Sequence, residues 1–484
     1  MLLRDIVNDY QYSLIKGSLD VSINGINNDS RKVKKGELFI AERGFTVDGH
    51  DFIEDAVKNG AVAVVIDKDV DVKEDITVIK VADSVDALAK FSSNFHNKPW
   101  NKLELIGVTG TNGKTSTTYF VKSILEKYNK KVGIIGTIGA LIGDEELNIV
   151  NTTPNALTIH SLLKEMVDKG FDSCVMEVSS HALELKRVNY MDFKIGIFTN
   201  LSKDHLDYHK TMESYFQSKL KLFYKTKSYN IINADDNYGR RIIDIVRDRV
   251  PILTYGIREK ADIYATDIEY GLSKVKFVLN TPKGKIDILL NVPGEFSVYN
   301  SLAAAACAYA YDIDLKTIKN GLESIQGVKG RFEVVPTNTD YTVIIDFAHT
   351  PDGLENVLKV IKEFAQGRII VVFGAGGNRD RTKRPEMGEI VAKYADLSIV
   401  TSDNPRFEDP ESIIDDILVG TKKAKGEYVK IVNRKEAIHY ALDIAKPKDI
   451  ILLAGKGHET YILINGEKIP FDEREIVLDY LKTN

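Results

Sequence analysis

At 484 residues the chain exceeds one ordinary core, since domains cluster at about 100 to 200 residues, and two or three are expected. With 43% hydrophobic and 28% charged residues, 12 Pro and 34 Gly, it matches globular proteins and excludes disordered and fibrous classes. A formal net charge of -5 excludes a globally basic nucleic-acid binder, so any anionic ligand must be held by local clusters.

The opening segment "MLLRDIVNDYQYSLIKG" carries charges at Arg4, Asp5 and Asp9, so it lacks the apolar run of a secretory signal. No apolar stretch approaches the roughly 18 residues a membrane helix requires. Cys174 and Cys307 sit in apolar surroundings that argue against a disulfide framework. A cytoplasmic protein is expected. From Val21 to Phe91, apolar runs such as "GELFIA", "AVAVVID" and "ITVIKV" alternate with helical stretches such as "DFIEDAVKNG", which is α/β patterning on a small scale. "HNKPW" interrupts it, and Pro99 disfavours helix at Lys98, so a boundary is placed there.

A second α/β run follows: strand "LELIGVT", helix "KTSTTYFVKSILEKY", strand "KVGIIGT", helix "ALTIHSLLKEMVDKG" and strand "DSCVMEVS", continued by "IGIFTN" and "YNIINAD". The alternation predicts a mainly parallel sheet covered by helices. Between Ala261 and Gly294 the pattern changes to alternating runs with turn signals, which predicts an antiparallel patch. After "GVKGRFEVV" a third α/β run begins, through "YTVIIDFAHTPDG", "RIIVVFGAGG", "LSIVTSDNP" and "DIILLAGKG".

The stretch "VTGTNGKTS" links a predicted strand to a predicted helix. It departs from the common phosphate-loop spacing G-x-x-x-x-G-K-[ST], which wants Gly where Val108 stands. Every physical part is nevertheless present. Gly110 and Gly113 free the backbone so that N–H groups can face an anion, and the helix N-terminus carries partial positive charge. Lys114 can reach the β/γ-phosphates and the Thr115 hydroxyl can ligate Mg²⁺. The bland alternative is a Gly-rich turn with a solvated lysine.

In order, "GVTGTNGKTS", "TTPNA", "MEVSSHAL", "FTNLSKDHLDYH", "DFAHTPDGL", "SDNPR" and "AGKGHE" resemble the motifs of the Mur ligase family, the ATP-dependent ligases that build the peptidoglycan stem peptide. The match spans nearly the whole chain and lies nearest to members that add the third amino acid to UDP-N-acetylmuramoyl-L-alanyl-D-glutamate. The family's own short loop, G-T-x-G-K-[ST], is what Gly110 to Thr115 carry. The resemblance implies ATP and Mg²⁺ as cofactors: the D-glutamate side-chain carboxylate attacks the γ-phosphorus, and the incoming amine displaces the resulting acyl phosphate. It implies a three-domain α/β fold, with a UDP-sugar-binding domain at 1–98, a P-loop ATPase-like central domain at 99–331 and a Rossmann-like amino-acid-binding domain at 332–484. Small-molecule substrates, no nucleic acid or membrane, and a monomer are the expected partners and state.

Residue by residue, the resemblance implies ATP contacts at Gly110, Thr111, Asn112, Gly113, Lys114, Thr115 and Ser116. It sets Asn300 on adenine, and Arg331 and Asp346 on ribose and phosphate, where a capping Asn or a surface ion pair would be the plain alternatives. Thr115, Glu177 and His205 match the Mg²⁺ positions, although His is an uncommon ligand for this hard cation and a hydrogen-bonded loop histidine stays open. In "TMESYFQSKLKLF", Lys219 shares the apolar stripe of Met212, Tyr215, Phe216, Leu220 and Phe223, so it either snorkels or is buried. Burial lowers an ammonium pKa, and a neutral amine can add CO₂. The family carries a carbamylated lysine (N6-carboxylysine) at the matching position, which helps to hold a second Mg²⁺. Lys114, Glu177, His205 and Lys219 are thus the implied catalytic set.

For the UDP-sugar substrate the resemblance implies Ser30, Thr152, Thr153, Ser179 and Arg187, types suited to diphosphate and sugar oxygens. Leu185 stands where some relatives have a polar residue, and Ser30 after Asp29 also reads as a turn. "GAGGNRDRTKRPEMG" suggests a dinucleotide loop, but Arg379 takes the last Gly position of G-x-G-x-x-G, which counts against it. Its run of Arg379, Arg381, Lys383 and Arg384 reads by itself as a solvated turn. In the family, Arg379, Asp403, Asn404, Pro405, Arg406, Gly455 and Glu459 bind the incoming amino acid, and relatives with Arg at the end of "DNPR" use meso-diaminopimelate. Rival readings are the same ligase using L-lysine and a P-loop ATPase that couples hydrolysis to partner binding. Folate-polyglutamate ligases share the loop but usually have Gly where Thr115 stands.

Overall fold

A computed structural model describes residues 1–44, 47–271 and 273–483. The chain forms two compact units. The first comprises Met1–Thr109, Asn129–Gly196 and Ser218–Tyr229; the second comprises Gly110–Tyr128, Ile197–Gln217 and the chain from Asn230 onward.

The first unit begins with a five-stranded sheet ordered Tyr12–Lys16, Thr77–Val81, Ala61–Ile66, Glu37–Ile40, Gly25–Asn27. All its pairings are parallel except the first. Alternate residues of these strands feed two apolar clusters, one closed by the helix Ser84–Phe95 and the other by Ile53 and Ala56. The helix Ser84–Phe95 is capped by the Asp83 carboxylate, which accepts from the Asp86 N–H. It ends before Pro99 as expected, with Lys98 in the left-handed region at φ 50° and a short 3-10 turn over Pro99–Asn101.

The same unit holds the strands Glu104–Thr109, Ser173–Glu177 and Val132–Gly136, paired in parallel with Ser173 opposite both Glu104 and Val132. They are almost wholly buried, which is why they read as continuous apolar runs. A hairpin of Gly139–Ile142 and Glu145–Leu147 extends the edge. The helix Ala156–Asp168 starts on the side chain of Asn155, which accepts from the Thr158 N–H.

In the second unit the helices Lys114–Lys127, Glu295–Ala310 and Leu315–Ser324 pack together, and Ser123 Oγ donates to the Gly321 carbonyl at 2.7 Å. Asn230–Asn233 pairs in parallel with Ile252–Gly256. Ile263–Tyr270, Val275–Thr281 and Gly284–Leu290 then form the expected antiparallel patch; Leu272 lies outside the described residues. A six-stranded sheet follows, ordered Glu333–Val335, Thr342–Asp346, Ile450–Ala454, Ile369–Phe373, Leu397–Val400, Tyr428–Lys430, and parallel except at the first pair. Its helices lie on both faces: Pro351–Phe364, Lys383–Tyr394 and Pro410–Lys423 on one, Arg434–Asp443 and Glu473–Thr483 on the other. This is the doubly wound α/β architecture expected from the alternation. Among the described residues no helix is long and apolar enough to cross a membrane.

Candidate active site

The phosphate loop is shaped by two glycines in backbone regions that L side chains avoid, Gly110 at φ 152° and Gly113 at φ 82°. A Cβ on Gly110 would stand 1.8 Å from Thr199 Oγ1, and one on Gly113 2.4 Å from Asn300 Oδ1. The loop is held from behind by the segment after strand Phe193–Phe198. Thr199 Oγ1 donates to the Asn112 carbonyl at 2.7 Å, the Asn112 N–H donates to Asn200 Oδ1 at 2.9 Å, and the Thr111 N–H to the Asn200 carbonyl at 2.8 Å. Lys114 opens the helix and donates to the carbonyls of Gly110 and Thr111 at 2.9 and 2.8 Å. Thr115 is buried, and its hydroxyl accepts from Arg331 Nη2 at 3.0 Å while the guanidinium lies 4.4 Å from the Phe347 ring centroid.

Asn300 is no helix cap: it sits inside Glu295–Ala310 with Oδ1 accepting from Thr117 Oγ1 at 3.3 Å. Asp346 ends its strand buried, its carboxylate accepting from the N–H groups of Phe332 and Ala348, each at 2.7 Å. Burial pushes its carboxyl up, and Arg331 and those two N–H groups only partly oppose this. His205 adopts φ 56°, and its N–H donates to Asp204 Oδ1 at 2.9 Å. Burial alone would raise the Asp204 carboxyl, but Lys383, 3.4 Å away, with His205 and His349, holds it well below the usual carboxylate range.

In the first unit, Glu177 ends its strand with 1% exposure. Its carboxylate accepts from both the N–H and the hydroxyl of Thr137, at 2.8 and 2.9 Å. Around it the structure gathers four of the residues expected for the UDP-sugar. Thr153 Oγ1 donates to the Glu177 carbonyl at 2.8 Å, and the Ser179 N–H donates to Thr153 Oγ1 at 3.0 Å. Arg187 Nη1 donates to the Thr153 carbonyl at 2.7 Å, and the hydroxyls of Thr137 and Thr152 lie 3.0 Å apart. Ser30 is buried at the start of a 3-10 turn capped by Asp29. Lys219 is 1% exposed on the helix Met212–Leu220; it is buried and does not snorkel. Lys221, two residues on, is half-buried and pairs with Glu184 at 2.6 Å.

At the strand ends of the six-stranded sheet lie the residues expected for the amino acid. Asn404 Nδ2 donates to Glu459 Oε2 at 2.9 Å, while its Oδ1 accepts from Lys456 Nζ at 3.2 Å. Arg406 holds φ 55°, its backbone paired with the hairpin Tyr461–Ile464 and Glu467–Pro470 through Leu463 and Asn465. Its Nη1 donates to the carbonyls of Gly377 and Asn404 at 2.9 and 3.4 Å. Among the described residues no carboxylate pairs with Arg406. Burial lowers its guanidinium below the usual range, and Arg379 adds like-charge repulsion. Glu408, two residues beyond Arg406, pairs instead with Arg384, which is 0% exposed and also reaches Asp416 at 2.9 Å. The basic run is therefore not a solvated turn at Lys383 and Arg384.

Sequence reasoning missed Thr137, Thr199, Asn200, Lys456 and Asp352. The last accepts from Asn112 Nδ2 at 2.6 Å and from Ser202 Oγ at 3.2 Å. The signal for Thr199 and Asn200 lies in "FTNLSKDH", where the resemblance assigns a role to the histidine alone.

Three family models match the chain in succession: Mur ligase family, catalytic domain, over residues 22–96; Mur ligase middle domain over 108–308; and Mur ligase, glutamate ligase domain over 330–457. The chain is 50% identical over 481 residues to the "UDP-N-acetylmuramoyl-L-alanyl-D-glutamate--2,6-diaminopimelate ligase" of Caldanaerobacter subterraneus subsp. tengcongensis, covering 99% of each. It is 46% identical over 487 residues to a ligase of the same name from Clostridium perfringens, covering 100% of each. A solved structure of a ligase with that name superposes with a TM-score of 0.69 at 31% identity, over 100% of this chain and 99% of that one. A phosphate loop built on Gly110 and Gly113, consecutive family matches from residue 22 to 457 and full-length identity near one half lead to one assignment: the chain belongs to the Mur ligase family.

Proposed function

We propose that this chain is an ATP-dependent ligase that joins meso-2,6-diaminopimelate to the D-glutamate of UDP-N-acetylmuramoyl-L-alanyl-D-glutamate, in the cytoplasm. The observation that carries the reading is the glycine-built phosphate loop, with Lys114 opening its helix, in a chain matched end to end by ligases of that name. Amide formation from an unactivated carboxylate needs a leaving group better than hydroxide, and phosphoryl transfer from ATP creates one. Lys114 and the loop N–H groups neutralise the phosphates. Asn300 contacts adenine, and Arg331 and Asp346 the ribose and phosphates. Residues 1–98 and the cluster of Thr152, Thr153, Ser179 and Arg187 hold the UDP-sugar, 99–331 hold ATP, and 332–484 hold the amino acid through Arg379, Asp403 to Arg406, Gly455 and Glu459.

Each of the expected metal ligands is of a type that a hard divalent cation accepts or tolerates: Thr115 and Glu177 offer oxygens, His205 a nitrogen, and Lys219 an oxygen only as a carbamate, since an ammonium would repel the metal. Mg²⁺ would neutralise phosphate charge. Lys219 is buried as carbamylation requires. Lys219→Ala is expected to lose activity and to regain part of it with added formate or acetate, while Lys221→Ala stays near wild type. Equal and unrescued losses at the two lysines would remove the carbamate from the scheme.

The experiment that tests the function is phosphate release with the UDP-linked dipeptide and a panel of meso-diaminopimelate, L-lysine and L-ornithine. Release that depends on meso-diaminopimelate is the expected outcome. Release independent of any amino acid would instead support an ATPase coupled to partner binding.

A further inference from the structure

One fully buried ion pair in the second unit has no role in the scheme above. Arg434, at the start of helix Arg434–Asp443, and Glu473, at the start of helix Glu473–Thr483, meet at 2.8 Å with side chains 0% and 1% exposed. The other donors of Arg434 reach backbone: Nη2 the carbonyl of Ala454 at 2.8 Å, and Nη1 the carbonyl of Ser402 at 3.4 Å. Nη1 also lies 3.9 Å from Asp403 Oδ2. Ala454 ends the strand Ile450–Ala454, and Ser402 follows the strand Leu397–Val400. These strands are not neighbours, because Ile369–Phe373 runs between them. One planar guanidinium thus ties together the ends of two separated strands, and directly after those ends come Asp403 to Arg406 and Gly455 to Glu459.

Fold stability is a poor account of this arrangement. A buried ion pair gains little net stability over an apolar replacement, and here Glu473 Oε2 has no hydrogen-bond partner among the described residues. A rigid fork of donors does supply geometry. We propose that Arg434, held in place by Glu473, is a positioning residue for the incoming amino acid: it sets the spacing of the two binding segments, and through it the C-terminal helix belongs to the selectivity apparatus. This rests on the reading of Asp403 to Arg406 and Gly455 to Glu459 as the amino-acid site.

The test uses the full-length enzyme with Arg434→Lys, which keeps the charge and loses the fork, and Glu473→Gln, which keeps the shape and loses the charge. Phosphate release is measured against each of the three substrates, with circular dichroism to establish folding. The expected result is a KM for meso-diaminopimelate raised about tenfold or more, with kcat and the KM values for ATP and the UDP-linked dipeptide within about threefold, the signature of lost binding at one subsite. If Arg434→Lys fails to fold, Glu473→Gln decides. An unchanged KM for meso-diaminopimelate in a folded variant, equal changes for all three substrates, or unfolding of both variants would assign the pair to stability and overturn the inference. Absence of meso-diaminopimelate-dependent release in the wild type would overturn the functional reading instead.

Discussion

Lys114→Ala is expected to fold and to lose turnover by about 10³-fold or more, because stabilising the transferring phosphoryl group is almost the whole of catalysis in such reactions. The structure separates this loss from misfolding. Lys114 is half-buried, and its hydrogen bonds to two carbonyls of its own loop are ones that water can satisfy once the ammonium is gone. The loop's shape comes from Gly110, Gly113 and the bonds to Thr199 and Asn200, none of which involves the lysine side chain. Melting by circular dichroism together with single-turnover phosphate release checks both halves. Near-normal turnover in the variant would defeat the assignment of this loop to phosphoryl transfer.

The second large effect concerns the choice of amino acid. Meso-diaminopimelate differs from lysine by a second carboxylate at its far end, and a guanidinium holds such a group through two parallel hydrogen bonds. Arg406 suits the task because its contacts are backbone carbonyls and no carboxylate among the described residues satisfies it. An analogue without the far carboxylate would leave that guanidinium without the bidentate partner, and a site built around a buried polar contact rejects such analogues by roughly 10⁴ or more. Arg406→Ala is therefore expected to lower kcat/KM for meso-diaminopimelate steeply while barely changing the poor reaction with lysine. A wild-type preference for L-lysine would refute the choice of amino acid and leave the ligase intact.

What the sequence made legible was whatever repeats locally. The buried parallel strands, the helices between them and the antiparallel patch follow from periods of two and 3.6, and the phosphate loop from three residue types at fixed spacing. What it hid depends on partners far along the chain. The stripe around Lys219 could not separate snorkelling from burial, because the decision lies with what packs over the stripe. Arg384 looked like part of a solvated run, since its partners Glu408 and Asp416 lie 24 and 32 residues downstream. Thr137 showed no sign of holding Glu177, 40 residues away. The left-handed backbone of Arg406 follows from a hairpin that begins only at Tyr461.

The stitching of the phosphate loop also sets an order of events during synthesis. Thr117 bonds Asn300 across 183 residues, Thr115 bonds Arg331 across 216, and Asn112 bonds Asp352 across 240. Closing contacts of that separation costs chain entropy before any bond is gained, and it slows folding. At a ribosome adding about 5 to 20 residues each second, some ten seconds or more separate the emergence of Lys114 from that of Asp352. A nascent chain that already shows its entire nucleotide motif therefore lacks the side chains that steady it, and the ability to bind ATP matures late, once the third α/β run has begun to fold.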